Sequence, residues 1–210
     1  MPSPAICRLA SADEQIAAQL AVIARFEAAL WDGGYNAPLL QSYQSAWRRL
    51  EALIAARGDD RRHHFVLIIP VADSPAQLRR CLTSLIELCR TFGYGGMQEG
   101  VFQKITVMLA DDTQAPELIA AHQAIVSEFI AQGLVIDYFG LAEQLALMDV
   151  LSGIQLDSIV GAAPRNSFGH KGQAMMRNIA YLKLAHISTP SSPLLFYTLD
   201  ADQQIGRAHV

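Results

Sequence analysis

One short segment constrains this chain more than any other: the unbroken apolar run Phe65-Val-Leu-Ile-Ile69, closed by Pro70. A strand with one face in water alternates apolar and polar residues. A strand that is apolar at every position needs cover on both faces, as in a parallel sheet sandwiched between helices. Three more runs of strand length follow, Ile105 to Leu109, Leu134 to Phe139 and Leu194 to Leu199. Between them the period changes to that of helices. From Ser74-Pro75, a cap and first-turn proline, Leu78, Cys81, Leu82, Leu85, Ile86 and Cys89 share one face. From Pro116 to Gln132, Leu118, His122, Ile125, Val126 and Phe129 do the same, and Gly133 ends the segment. Leu141 to Leu151 fits a short amphipathic helix, with loop to residue 163. A last helix follows Gly169-His-Lys-Gly172, with Met175, Ile179, Leu182 and His186 on one side. The glycine-rich stretch from Gly93 to Gly100 reads as a loop. This alternation predicts an α/β fold, a mostly parallel sheet with helices on both faces.

The first 60 residues have a different character. Ile16, Leu20, Ile23 and Leu30 mark one helical stripe and Leu40, Tyr43, Trp47, Leu50 and Ile54 another, with Trp31-Asp-Gly-Gly-Tyr35 as the turn between them. The polar stretch from Arg57 to Arg62 then closes the pair. The expected organisation is an N-terminal helical extension at 1–60, which packs on the main domain or on a partner, and an α/β part at 61–204. Residues 205–210, Ile205-Gly-Arg-Ala-His-Val210, resemble the translation of a sequencing-adapter read-through and are expected to be a non-native tail.

Composition narrows the function classes. The net charge of −4 is spread along the chain, with no basic stripe for nucleic acid and no polybasic anchor. No apolar run nears the roughly 20 residues a membrane helix needs. Asp13, Glu14, Arg25 and Glu27 break up the alanine-rich start, unlike a signal peptide. Cys7, Cys81 and Cys89 have no metal-ligand spacing, and two helical turns between the last two, roughly 12 Å, are too far to bridge. Reduced core cysteines and a cytoplasmic location are expected. Contact with a membrane surface and a homo-oligomer both remain open.

Ligands of open parallel sheets bind beyond the carboxyl ends of the strands. Here those ends are acidic: Pro70-Val-Ala-Asp73, Asp111-Asp112-Thr113 and Asp200-Ala-Asp202. Clustered carboxylates call for a cation, and Mg2+ or Mn2+ suits a few hard oxygens completed by phosphate. The plainer alternatives are that Asp111-Asp112 caps the next helix, that Asp200 and Asp202 form a solvated turn, and that His122 and His186 are core histidines.

These residues also carry a resemblance. His64 to Leu85 (HFVLIIPVADSPAQLRRCLTSL), Met108-Leu-Ala-Asp-Asp-Thr113, Asn166 to Ala180 (NSFGHKGQAMMRNIA) and Leu194 to Asp202 (LLFYTLDAD) resemble, in order and spacing, the four motifs of family 2 glycosyltransferases over residues 64–203. The resemblance implies a GT-A fold, of which this chain would be the nucleotide-sugar-binding, Rossmann-like half cut off after the D-x-D motif. It implies transfer of a sugar from a nucleotide diphosphate sugar to an acceptor hydroxyl. Asp112 would contact the base or ribose, and Pro70 and Asp73 would lie at the rim of the nucleotide pocket. Arg177 and Asn178 would sit near the nucleotide, with His170 or Lys171 neutralising the diphosphate. Asp200 would approach the ribose and a metal-bound water, and Asp202 would ligate Mg2+ or Mn2+. The acceptor pocket and the catalytic base would lie beyond the C-terminus, leaving this chain inactive or nearly so by itself. Val71 and Ala72 depart from the family's Thr-Tyr, Met176 from its Ala and Thr113-Gln114 from its Gly-Ser. A sugar nucleotidyltransferase is the second enzyme class, although it usually has a Gly-rich loop where Pro70 to Pro75 stands. A non-catalytic nucleotide-binding or interaction module is the third reading.

Overall fold

The computed structural model describes residues 10–34, 36–151, 171–185 and 193–203. The expected non-native tail, the loop from 152 to 163, Cys7, His170 and His186 lie outside the described residues. The chain divides into two compact units, residues 1–60 with 89–96, and residues 61–88 with 97–210.

In the first unit, α1 (Ala12–Gly33) and α2 (Ala37–Arg57) form a helical hairpin. Ser11 opens α1 with a capping box: its hydroxyl accepts from Glu14 N at 3.2 Å, and the Glu14 carboxylate accepts from Ser11 N at 2.7 Å. A cap of this kind contributes about 1 kcal/mol. The turn expected at Trp31 comes later, because α1 continues through Trp31, Asp32 and Gly33. The chain turns out of the helix at Gly34, whose φ of 71° suits glycine. Ile23, Ala46, Leu50 and Ile54 form the core between the helices, with Ile16, Val22, Phe26, Tyr43 and Trp47 around it. Tyr43 packs edge-on against both Trp47 and Phe92. The buried Glu51 accepts from Gly95 N at 3.0 Å, which ties the segment at 89–96 to this hairpin.

The second unit is a four-stranded parallel sheet wound with helices. Its elements in chain order are β1 (His64–Val71), α3 (Pro75–Phe92), β2 (Met97–Gln98), β3 (Val101–Phe102), β4 (Ile105–Asp111), α4 (Pro116–Ala131), β5 (Val135–Phe139), α5 (Leu141–Val150), α6 (Gln173–Leu184) and β6 (Leu194–Thr198). The last turn of α3, from Cys89, counts with the first unit. The spatial order is β5-β4-β1-β6, every pairing parallel. From β1 the chain steps outward to β4 and β5, then returns across both to place β6 on the other side of β1. Right-handed crossovers put helices on one face while the order runs outward and on the opposite face when it reverses. The packing obeys this rule. Arg79 of α3 pairs with Glu128 of α4 at 2.6 Å, and His122 of α4 meets Asp111, so these helices share one face. On the other face Val66, Ile68, Met108, Ala110 and Phe139 pack against Met148 of α5 and Met176, Ile179 and Ala180 of α6. The chain is therefore α/β with a Rossmann-like winding.

Two details differ from the sequence reading. The glycine-rich stretch contains a small hairpin, β2 with β3, because Glu99 and Gly100 both take positive φ (51° and 82°), as a two-residue I′ turn requires. The run Leu194 to Leu199, read as the fourth strand of a sheet with helices on both faces, leaves Leu195, Phe196 and Tyr197 43%, 44% and 57% exposed. Among the described residues β6 has β1 as its one neighbour in the sheet, and an apolar sequence alone did not fix its burial. No helix among the described residues is long and apolar enough to cross a membrane.

Candidate functional site

The strand order reverses between β1 and β6, which opens a crevice at their carboxyl ends. A cleft of about 250 Å3 lies there, lined by Pro70, Val71 and Ala72 at the end of β1, Asp112 after β4, Asp200, Ala201 and Asp202 after β6, and Gln77, Gly172 and Met176. Backbone bonds set these tips relative to each other: Leu199 N donates to Ile68 O and Asp112 N to Val71 O, both at 2.9 Å. The D-x-D segment is a tight turn closed by Gln203 N donating to Asp200 O at 3.0 Å.

Four residues expected at the site, Pro70, Asp112, Asp200 and Asp202, thus line one cleft. Lys171 and Arg177 join through those acids. Lys171 Nζ sits 2.7 Å from Asp112 Oδ1, and both side chains are almost wholly buried, at 2% and 5% exposure. Asp112 Oδ2 accepts from Gly172 N at 3.1 Å. Lys171 is thereby committed to Asp112 rather than standing clear to meet a diphosphate. Arg177 Nη2 lies 3.2 Å from Asp200 Oδ1, with both groups well exposed. The side chains of Asp73 and Asn178 are not among those that line the cleft, although Asp73 follows directly on the lining residues Pro70 to Ala72. Asp73 instead holds a left-handed conformation, φ 51°, and its N–H donates to Thr113 Oγ1 at 2.9 Å. His170 lies outside the described residues.

Asp111 behaves unlike its neighbour Asp112. It does not cap α4, whose N-cap is Ala115 with no side-chain cap bond. It points into the core, 2% exposed, where Oδ1 accepts from Thr113 N at 2.9 Å. Oδ2 accepts from His122 Nδ1 at 2.8 Å and Tyr138 Oη at 2.7 Å, so the imidazole proton faces Asp111. Burial pushes this carboxyl up, but the bonds from His122, Thr113 and Tyr138 outweigh it and hold the group below the ordinary carboxylate value. Burial, with Asp111 adding to it, drives the Tyr138 phenol the other way, well above its usual range. Gln144 completes the cluster, its amide donating to Asp111 O and Phe139 O at 2.9 Å each. Among the described residues nothing hydrogen-bonds His122 Nε2 or Gln144 Oε1, both of which are buried.

Sequence reading missed this cluster and Gln77. A signal for the cluster was present: a His on an apolar helical face, a Tyr in a strand and an Asp at a strand tip each need a buried partner. Cys81, wholly buried, has its thiol pushed up to about 11 by burial and by the nearby charge of Asp202. It is a packing residue rather than a nucleophile.

Two carboxylates on a short turn, Asp200 and Asp202, form a hard-oxygen donor pair of the kind Mg2+ or Mn2+ accepts when phosphate and water oxygens complete the shell. Among the described residues no group of three or more His, Cys, Asp or Glu side chains could hold a metal ion unaided. No protein-family model, curated protein or solved structure matches this chain.

Proposed function

We propose that the cleft binds the nucleotide diphosphate part of a sugar donor, and that the protein is a metal-dependent glycosyltransferase of the GT-A, family 2-like kind. One observation supports this reading above the rest: Asp112, Asp200 and Asp202, from strand tips far apart in sequence, line a single crevice at the topological switch point.

In this reading Asp200 and Asp202 hold Mg2+ or Mn2+ together with diphosphate oxygens. The ion supplies stabilisation of the charge that grows on the departing diphosphate. Arg177, exposed beside Asp200, adds a guanidinium on the same edge. Asp112 accepts from the base or ribose. Its ion pair with Lys171 and the bond from Gly172 N keep it aimed, and its carboxylate oxygens still have lone pairs to offer. Val71, Ala72 and Met176 give the cleft its apolar wall. Asp112, Arg177, Asp200 and Asp202 all act on the donor side of the reaction in this reading.

Calorimetry with UDP and GDP, each with and without Mn2+, tests the reading. Binding that needs Mn2+ and disappears in Asp202→Ala is the expected result. Equal binding with and without the metal favours a nucleotide-binding module, and no binding by folded protein sinks the proposal.

A further inference from the structure

We propose that Thr113, backed by Asp111, His122 and Tyr138, is a positioning residue that sets the rim of the cleft. The inference rests on the nucleotide reading above and adds a role for residues that do not themselves line the crevice. The tie is continuous. His122 Nδ1 and Tyr138 Oη fix one oxygen of Asp111, and the other oxygen takes Thr113 N. With its backbone held, Thr113 presents Oγ1 to Asp73 N at 2.9 Å. Asp73 stands directly after the lining residues Pro70 to Ala72, and Asp112, itself a lining residue, lies between the two anchored positions 111 and 113.

Two costs are concentrated here, and they suggest that the arrangement serves the site. A non-glycine residue at φ 51° is strained and persists where its surroundings enforce it. A buried carboxylate is expensive unless its oxygens are bonded, and Asp111 has three donors. A plain sheet-to-helix connection needs neither feature. Together they stiffen both banks of the crevice next to Asp112, so that the ordering is done before a nucleotide arrives.

The test compares Thr113→Val, which keeps the shape and removes the hydroxyl, with Thr113→Ser, which keeps the hydroxyl. Each is made in the full chain and titrated with UDP–Mn2+ or GDP–Mn2+, whichever wild type binds. Thr113→Val is expected to weaken binding about tenfold, the size of one buried hydrogen bond, with Thr113→Ser within about twofold of wild type. Amide exchange at Asp73, followed by NMR, should speed up in the Val variant and stay slow in the Ser variant. Should Thr113→Val not fold, Tyr138→Phe serves, because it removes one donor from Asp111 at a half-buried site, and faster Asp73 exchange with weaker binding is again expected. Unchanged affinity, or unchanged Asp73 exchange, in a folded variant overturns the positioning role. Wild type that binds neither nucleotide overturns the nucleotide reading and the binding role with it, while the exchange data separately decide whether the Thr113–Asp73 tie exists.

Discussion

Asp111 and Asp112 are adjacent in the chain and live in different regions of the molecule. Asp111 faces the α4 side of the sheet in a closed set of hydrogen bonds. Asp112 faces the crevice, where Asp200, Asp202 and Arg177 remain open to solvent or to a ligand. The alternation of a strand is enough to separate them, since successive side chains leave a sheet on opposite faces. The comparison teaches that a pair of acids at a strand tip can divide its labour, one member bracing the backbone and the other offering an acceptor.

The sharpest way to break this contrast is Asp111→Ala. It leaves Thr113 N and His122 Nδ1 buried, and Tyr138 Oη half-buried, without their acceptor, and it should cost about 3 kcal/mol or more by urea unfolding. Asp112→Ala should cost less, about 2 kcal/mol, because the stranded Lys171 ammonium lies beside an opening through which it can reach water. Acid titration gives a third test. The folded Asp111 carboxyl lies below its ordinary value, so its stabilisation is present above the unfolded pKa of about 4 and is lost as pH falls through the folded value. Wild type should therefore lose stability faster than Asp111→Asn below about pH 4 in urea midpoints measured across pH. The smallest effect belongs to the open side. Arg177→Ala breaks an ion pair whose members are 49% and 34% exposed, and it should change stability by less than about 0.5 kcal/mol. An Arg177→Ala protein as damaged as Asp111→Ala would erase the distinction between the two regions.

Much of this was legible beforehand, and for physical reasons. Phe65 to Ile69 suits a strand covered on both faces, and the helical periods that alternate with the strand runs after it point to parallel winding. That winding places Pro70, Asp112, Asp200 and Asp202 on one edge, which makes the cleft readable from topology. What escaped notice depends on direction rather than pattern. Nothing in Asp111-Asp112 says which member turns inward until His122 and Tyr138 are placed across from it. Lys171 could be matched to a phosphate from its position, but a buried contact with Asp112 can be seen only in three dimensions. The exposure of β6 likewise depends on which neighbours an apolar strand acquires.

The return of the chain to β1 also sets an order of events. β1, β4 and β5 meet through successive local crossovers, whereas β6 must travel back past two finished strands to find its partner. Closing that longest loop carries the greatest entropic penalty, so the β1–β6 seam is expected to pair after β1, β4 and β5, which pulse-labelled amide exchange on β6 would check. The crevice belongs to that seam, and its assembly waits on the longest-range pairing in the sheet.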